Sequence, residues 1–144
     1  MKRVVQSLRT GKLSLAAIPE PVAQKGQVVI ANGCSVISAG TEKAAMELAQ
    51  KSLLGKAKER PDQVRRVLEK VRNEGVFNTF RAVSARLDEP LSMGYSSAGT
   101  VLAVGAGVEG IRPGDRVASN GPHGEIVAVP KNLCALIPGS VPFF

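Results

Sequence analysis

Apolar and polar positions follow two different periods along this chain, and the change of period divides it into three stretches. In the first, apolar residues come in short runs cut by glycine and proline. Lys2–Leu8 reads as a strand, Gly11-Lys12 as a turn, and Leu13–Ile18 as its hairpin partner. Pro19-Glu20-Pro21 breaks regular structure and forces extended backbone. Gln27–Asn32 is β-branched and apolar, as a buried strand is, and Cys34–Ser38 continues it after Gly33, a position suited to a bulge.

At Thr41 the period lengthens. Thr41 is a good helix N-cap, and Glu42 suits the positive end of the helix dipole. Ala44, Met46, Leu48, Ala49, Leu53 and Leu54 fall in a helix-forming run that ends near Gly55–Glu59. Pro61 opens a second helix at its first turn, with Val64, Val67, Leu68 and Val71 on one face and Gly75 closing it. Val76, Phe80, Val83 and Leu87 repeat the spacing in a third helix, which Pro90 stops. Residues 42–89 therefore form a helical block whose apolar stripes are expected to pack on each other or on the β part.

After Pro90 the short runs return, at Gly94–Val104, Arg116–Ser119, Gly124–Val129 and Cys134–Ile137. Strands at this spacing, punctuated by Gly and Pro, predict a mainly β fold, a barrel or sandwich closed or nearly so. Gly105-Ala-Gly107-Val-Glu-Gly110 matches G-x-G-x-x-G literally. A dinucleotide fingerprint needs a helix opening at that point, and Ile111-Arg-Pro-Gly-Asp115 cannot continue one. These glycines read as turns, and no cofactor-binding residue is assigned in the chain.

Composition sharpens this picture. At 144 residues and 44% apolar, the chain is long enough for one domain with its own core. Only 3% of residues are aromatic, so that core must be aliphatic, and the stacking surface of a single-strand nucleic-acid binder is missing. The formal net charge is +7, spread over the helical block and the remainder without a basic run, which argues for a basic surface and against a nucleic-acid or membrane partner. Neither a signal peptide nor a run of membrane-spanning length is evident. Cys34 and Cys134 sit in apolar stretches without a C-x-x-C and read as buried free thiols, as expected in a cytoplasmic protein. His123, the single histidine, lies in a Gly/Pro loop and reads as a surface turn residue. The terminal Phe143-Phe144 pair reads as an edge that met something else.

In GYSSAGTVLAVGAGVEGIRPGDRVA, beginning at Gly94, the glycines at 94, 99, 105 and 114 and the run Asp115-Arg-Val117 resemble a segment of the medium-chain dehydrogenase/reductases. That segment usually reads G-H-E-x-x-G-x-V-x-x-V-G-x-x-V-x-x-x-x-x-G-D-R-V. Val36-Ile-Ser-Ala-Gly-Thr-Glu42 is similar to that family's G-I-C-G-T-D. Gly124-Glu-Ile-Val-Ala-Val-Pro130 and Leu136-Ile-Pro-Gly-Ser-Val141 resemble A-E-Y-x-x-V-P and x-I-P-D-x-V. The likeness covers about residues 1–41 and 91–143, in the family's order. It implies a GroES-like β-barrel over residues 1–144, the substrate-side domain of an alcohol-dehydrogenase-like enzyme, with residues 42–89 as a helical insertion. Such an insertion is similar to that of bacterial bi-domain oxidoreductases, whose second module resembles the glucose-fructose oxidoreductases.

The resemblance also implies that NAD or NADP is carried by a C-terminal Rossmann domain, that the substrate is a small molecule, and that this chain alone is inactive. A homo-oligomer of the full-length enzyme is compatible with it. Zinc-dependent members place Cys, His and Glu where this sequence has Ala39, Tyr95 and Ser96. Alanine supplies no ligand and the two hydroxyls are poor ones, so no zinc is expected. In its absence Thr41 and Tyr95 are the candidate catalytic residues, able to hold or protonate a substrate oxygen, and Ser38 and Ser96 are further hydroxyls that could bind substrate. Capping alone would explain Thr41, and packing alone Tyr95. A different class, a stand-alone binding or assembly module on the same fold, is the competing reading, since fold does not determine function.

Overall fold

The computed structural model describes residues 1–50, 55, 58 and 61–143. Leu53, Leu54, Phe144 and the end of the first helix lie outside the described residues, as do the side chains of Leu48 and Leu87. In chain order the elements are β1 (Lys2–Gln6), β2 (Leu13–Ala17), β3 (Gln27–Ser35), α1 (Ala39–Gln50), α2 (Pro61–Glu74), α3 (Val76–Asp88), β4 (Leu91–Ser92), β5 (Ser97–Val104), β6 (Arg116–Ser119), β7 (Ile126–Pro130) and β8 (Cys134–Leu136). A single 3₁₀ turn, Lys131–Leu133, joins β7 to β8.

The chain divides into two compact units. One is the β unit, Met1–Val5, Ser14–Ala39 and Ser92–Phe144; the other is Gln6–Leu13 with Gly40–Leu91 and holds the helices. The strands make two antiparallel sheets, of order β2-β1-β4 and β7-β3-β5-β6-β8. Among the described residues they do not close into one barrel. An antiparallel bridge between Arg3 and Gly124 links β1 to the segment ahead of β7.

The core lies on one face of the five-stranded sheet. Val28, Ile30, Val101, Ile111, Val117, Val127 and Val129 form one buried cluster, with Val104, Val108 and Cys134 packed against it. It is aliphatic throughout, as the scarcity of aromatic residues requires. The central strand β3 pairs with β5 on one side and β7 on the other, and Val28, Val29 and Ile30 are all buried although they point to alternate faces, so this part of β3 is covered on both faces. Gly33 is the extra residue between the pairs Asn32↔Gly99 and Cys34↔Ala98, a bulge that redirects the end of β3.

Gly105, which opens the fingerprint-like stretch, and Gly99 in β5 are required by close approach. A Cβ on Gly99 would stand 2.1 Å from the Ala31 carbonyl oxygen, and one on Gly105 would stand 1.7 Å from that of Gln24. The Gly105–Gly110 segment is a turn held by bonds from Gly105 N–H to Gln27 O and from Val108 N–H to Gly105 O. No helix opens after it; β6 follows at Arg116.

In the helical unit α2 begins at Pro61, as its sequence requires, and α3 ends at Asp88 ahead of Pro90. Gly75, at φ 84°, separates them, and its N–H donates to Val71 O. The helix phase corrects the expected stripe. Among the described residues of α3 Thr79 is the buried one, with Ala82 and Val83 half-buried, while Val76, Phe77 and Phe80 are each more than 70% exposed. One residue is about 100° of helix, so packing has chosen a neighbouring face. Thr79 Oγ1 satisfies itself by donating to Gly75 O at 2.9 Å, which lets a hydroxyl be buried. On α2, Val64 and Val71 are half-buried whereas Val67 and Leu68 are exposed.

Candidate functional site

Three segments of the β unit meet at one end of the five-stranded sheet. They are the end of β3 with its continuation to Ser38, the turn Gly94–Ser96 that leads into β5, and the loop Ser119–Gly124 after β6. Ser35 pairs with Ser97 across the β3–β5 ladder, and Val36 N–H donates to Ser96 O at 3.0 Å. Ser97 in turn pairs with Ser119, their hydroxyls 3.0 Å apart. The Ser119 hydroxyl also accepts the Gly121 N–H at 3.1 Å and so shapes the loop.

His123 corrects the sequence expectation. It is buried, not a surface turn residue, and its Nδ1 lies 2.8 Å from Ser35 Oγ. Tertiary bonds draw it inward. Asn32 Nδ2 donates to the carbonyls on either side of it, Pro122 O at 3.2 Å and Gly124 O at 2.8 Å. His123 N–H donates to Met93 O at 2.7 Å, and its own carbonyl accepts Val4 N–H at 2.9 Å. The imidazole lies against the backbone of Gly94, where a Cβ would fall within 2.6 Å of the ring. Gly94 also has φ 87°, so a glycine is needed there twice over.

The residues named from sequence divide between the two units. Tyr95 and Ser96 are exposed on the turn beside Gly94, Tyr95 to 46%. Ser38, half-buried, closes the segment that Val36 ties to Ser96. The structure therefore brings together two of the stretches on which the family resemblance rests. Thr41 belongs to the helical unit. It is not the N-cap: α1 begins at Ala39, so Thr41 lies inside the first turn with Glu42, and a serine, an equally good capping residue, directly precedes the helix. Sequence reasoning missed Ser35 and misjudged His123, because their pairing joins positions 88 residues apart.

The remaining polar groups frame this end of the sheet. Burial lowers the pKa of Arg3, whose guanidinium donates to Ile126 O, and Glu125 accepts the Lys2 backbone N–H at 2.7 Å. Both cysteines are free thiols and are half-buried where full burial was expected; Cys34 Sγ donates to Phe143 O at 3.2 Å. Phe143 is seated under the Arg116 guanidinium, 4.7 Å from its ring centre, and Arg116 also bonds Val141 O.

The family model for the alcohol dehydrogenase GroES-like domain matches residues 66–139. The chain belongs to that family. The GroES-like domain is similar in fold to a quinone oxidoreductase from Pseudomonas syringae pv. tomato, with a TM-score of 0.64 at 20% identity over 99% of this chain and 35% of that one. The quinone oxidoreductase of Escherichia coli, solved in complex with NADPH, gives 0.66 at 15% identity over 99% and 35%. Galactitol-1-phosphate dehydrogenase from Escherichia coli gives 0.65 at 16% identity over 99% and 40%. The GroES-like domain thus spans little more than a third of the length of these structures. No curated protein matches the chain.

Zinc, which the resemblance raises, can be tested on the donor set. The three ligand positions hold Ala39, Tyr95 and Ser96, and the Nδ1 of the single imidazole is already bonded to Ser35. Among the described residues no three His, Cys, Asp or Glu side chains converge. An alanine and two hydroxyls do not suit a zinc ion, which takes thiolate, imidazole or carboxylate ligands.

Proposed function

We propose that this GroES-like domain is the substrate side of a zinc-independent, NAD(P)-dependent oxidoreductase that moves a hydride to or from a carbonyl or alcohol of a small molecule. The observation that carries the reading is the bond from Val36 to Ser96, which sets the Ser38 and Tyr95–Ser96 segments side by side with hydroxyls in place of metal ligands. A nicotinamide dinucleotide supplies the hydride chemistry when bound, and a Rossmann domain joined to this one would hold it. The Gly105–Gly110 turn is unsuited to that task because it opens no helix. The NADPH complex of the Escherichia coli enzyme of like fold supports the choice of cofactor.

In this reading residues 1–144 are one domain with residues 42–89 inserted, working in the cytoplasm; among the described residues no helix is long and apolar enough to cross a membrane. Tyr95 and Thr41 donate hydrogen bonds to the substrate oxygen, which a fixed donor stabilises as negative charge develops on it. Ser38 and Ser96 hold the substrate in place. The chain by itself, without the cofactor-bearing domain, turns over nothing.

The decisive experiment uses the protein joined to its Rossmann domain. Tyr95→Phe is expected to lower kcat about 10²-fold, the usual loss when one oxyanion donor is removed, and Thr41→Val to add to it. Unchanged turnover in both variants ends these assignments. Stoichiometric, chelator-resistant zinc in the purified protein ends the zinc-independent mechanism.

A further inference from the structure

We infer that Phe143 is a positioning residue. Its ring, seated on the β3 bulge at Gly33 and under Arg116, ties the chain on its way to the cofactor domain to the segment that holds substrate, and so sets the distance over which the hydride moves. The inference rests on the oxidoreductase reading above and adds to it the contact that aligns cofactor with substrate.

The seat is built from two strands far apart in sequence. The bulge takes Gly33 out of the ladder between Asn32↔Gly99 and Cys34↔Ala98. With no side chain there, the ring lies against the strand itself: a Cβ on Gly33 would stand 3.6 Å from Phe143 Cδ2. The next residue, Cys34, donates its thiol hydrogen to the Phe143 carbonyl at 3.2 Å. From β6 comes the Arg116 guanidinium, 4.7 Å from the ring centre. The segment returns to these strands through a turn in which Val141 N–H donates to Pro138 O at 3.0 Å, just after Ile137 N–H donates to Arg116 O at 2.8 Å.

Arg116 is committed to this segment. Among the described residues its guanidinium bonds Val141 O, pairs with no carboxylate and leaves its buried Nε without an acceptor. A half-buried cation that no acid matches carries a desolvation cost, and the face of the Phe143 ring offsets part of it. The sheet alone gives Arg116 no such partner, so ring and guanidinium are each explained by the other.

What the seat holds is the start of the substrate segment. Gly33 and Cys34 run directly into Ser35 and Val36, and Val36 N–H is bonded to Ser96 O beside Tyr95. The chain that leads onward and the chain that carries the substrate hydroxyls are thus pinned at one point. Hydride transfer needs the reacting carbons nearly in contact, and a misplacement of about 1 Å can cost about 10²-fold in rate. A loosened seat therefore acts on the transfer step and leaves the affinity for each ligand largely alone.

The test has two arms. In the 144-residue chain carrying Cys134→Ser, Cys34 is the one thiol, and its labelling by N-ethylmaleimide reads the seat directly. Phe143→Ala should speed labelling several-fold, because the segment that covers Cys34 is released, and Phe143→Tyr, which keeps the ring, should not. In the protein joined to its Rossmann domain, Phe143→Ala is expected to slow single-turnover hydride transfer about 10²-fold with KM and nicotinamide Kd little changed. The deuterium isotope effect on kcat should rise as transfer becomes the slow step, and Phe143→Tyr should restore both. Arg116→Met, which reaches the same ring from β6, should give a smaller loss of the same kind and add nothing to Phe143→Ala; it carries the test if Phe143→Ala does not fold. Unchanged labelling overturns the seat, and wild-type transfer in Phe143→Ala or Arg116→Met overturns the positioning role, both leaving the oxidoreductase reading intact. A wild-type protein that turns over no alcohol or carbonyl with either nicotinamide cofactor overturns that reading, and the positioning role with it.

Discussion

Apolar residues in the two units meet opposite fates. In the β unit Ile30, Val117 and Val127 have no exposed surface at all, whereas in the helical unit Phe77 is 79% exposed and Leu68 63%. The difference lies in how each architecture buries a residue. A strand at the centre of a sheet is covered through partners distant in sequence, and β3 gains β5 and β7 in this way. A helix covers only the stripe that a neighbour happens to face; α2 and α3 pack on each other and leave the rest of their apolar surface outside. The periodicity was equally clear in both regions, so a clean pattern marks amphipathicity without saying which face is covered.

Substitutions can break or sharpen this contrast. The largest effect is expected for Ile30→Ala, which empties a fully buried site and should cost about 2–5 kcal/mol in chemical denaturation of the chain. Gly99→Ala comes next, because its Cβ meets the Ala31 carbonyl; overpacking of this kind costs roughly 1–3 kcal/mol, and refolding with wild-type stability would contradict the close approach of β3 and β5. In the helical unit Phe77→Ser and Phe80→Ser should change stability by no more than about 0.5 kcal/mol, as exposed positions do. A loss comparable to that of Ile30→Ala would show those rings to be buried after all.

The smallest effect is a pH dependence in the β unit. Burial raises the pKa of Cys134, so the folded state favours the neutral thiol. That contribution is complete below the unfolded thiol's ordinary value and is lost as pH rises through the folded one. Stability should therefore fall slightly above about pH 8.5, and Cys134→Ser should remove that part of the slope.

Much of the fold was legible before any coordinates. The strand at Gln27, the bulge at Gly33, the helix start at Pro61 and the break at Gly75 each follow from local backbone chemistry, and each is found in place. The helix phase was not legible, because Val76 and Phe80 lie on a regular stripe while a threonine takes the covered position. The start of α1 was misplaced by three residues, since Ser38 and Thr41 are both capable caps and sequence cannot rank them. The site was half legible: Tyr95 and Ser96 stand out against the family motif, but nothing near Ser35 in the chain hints at an imidazole.

Sequence alone determined the β-helix-β division, the aliphatic core, the family, and the loss of good zinc donors at the motif positions, because these depend on residue type, local spacing and motif order. Tertiary structure decided that Gly99 and Gly105 answer to the carbonyls of Ala31 and Gln24, and that Gly94 makes room for a ring. It also decided that His123 is buried against Ser35. Those outcomes depend on which distant backbones approach within a few ångströms, and the pairing of β3 with β5 and β7, together with the Asn32 bonds to the His123 loop, sets them.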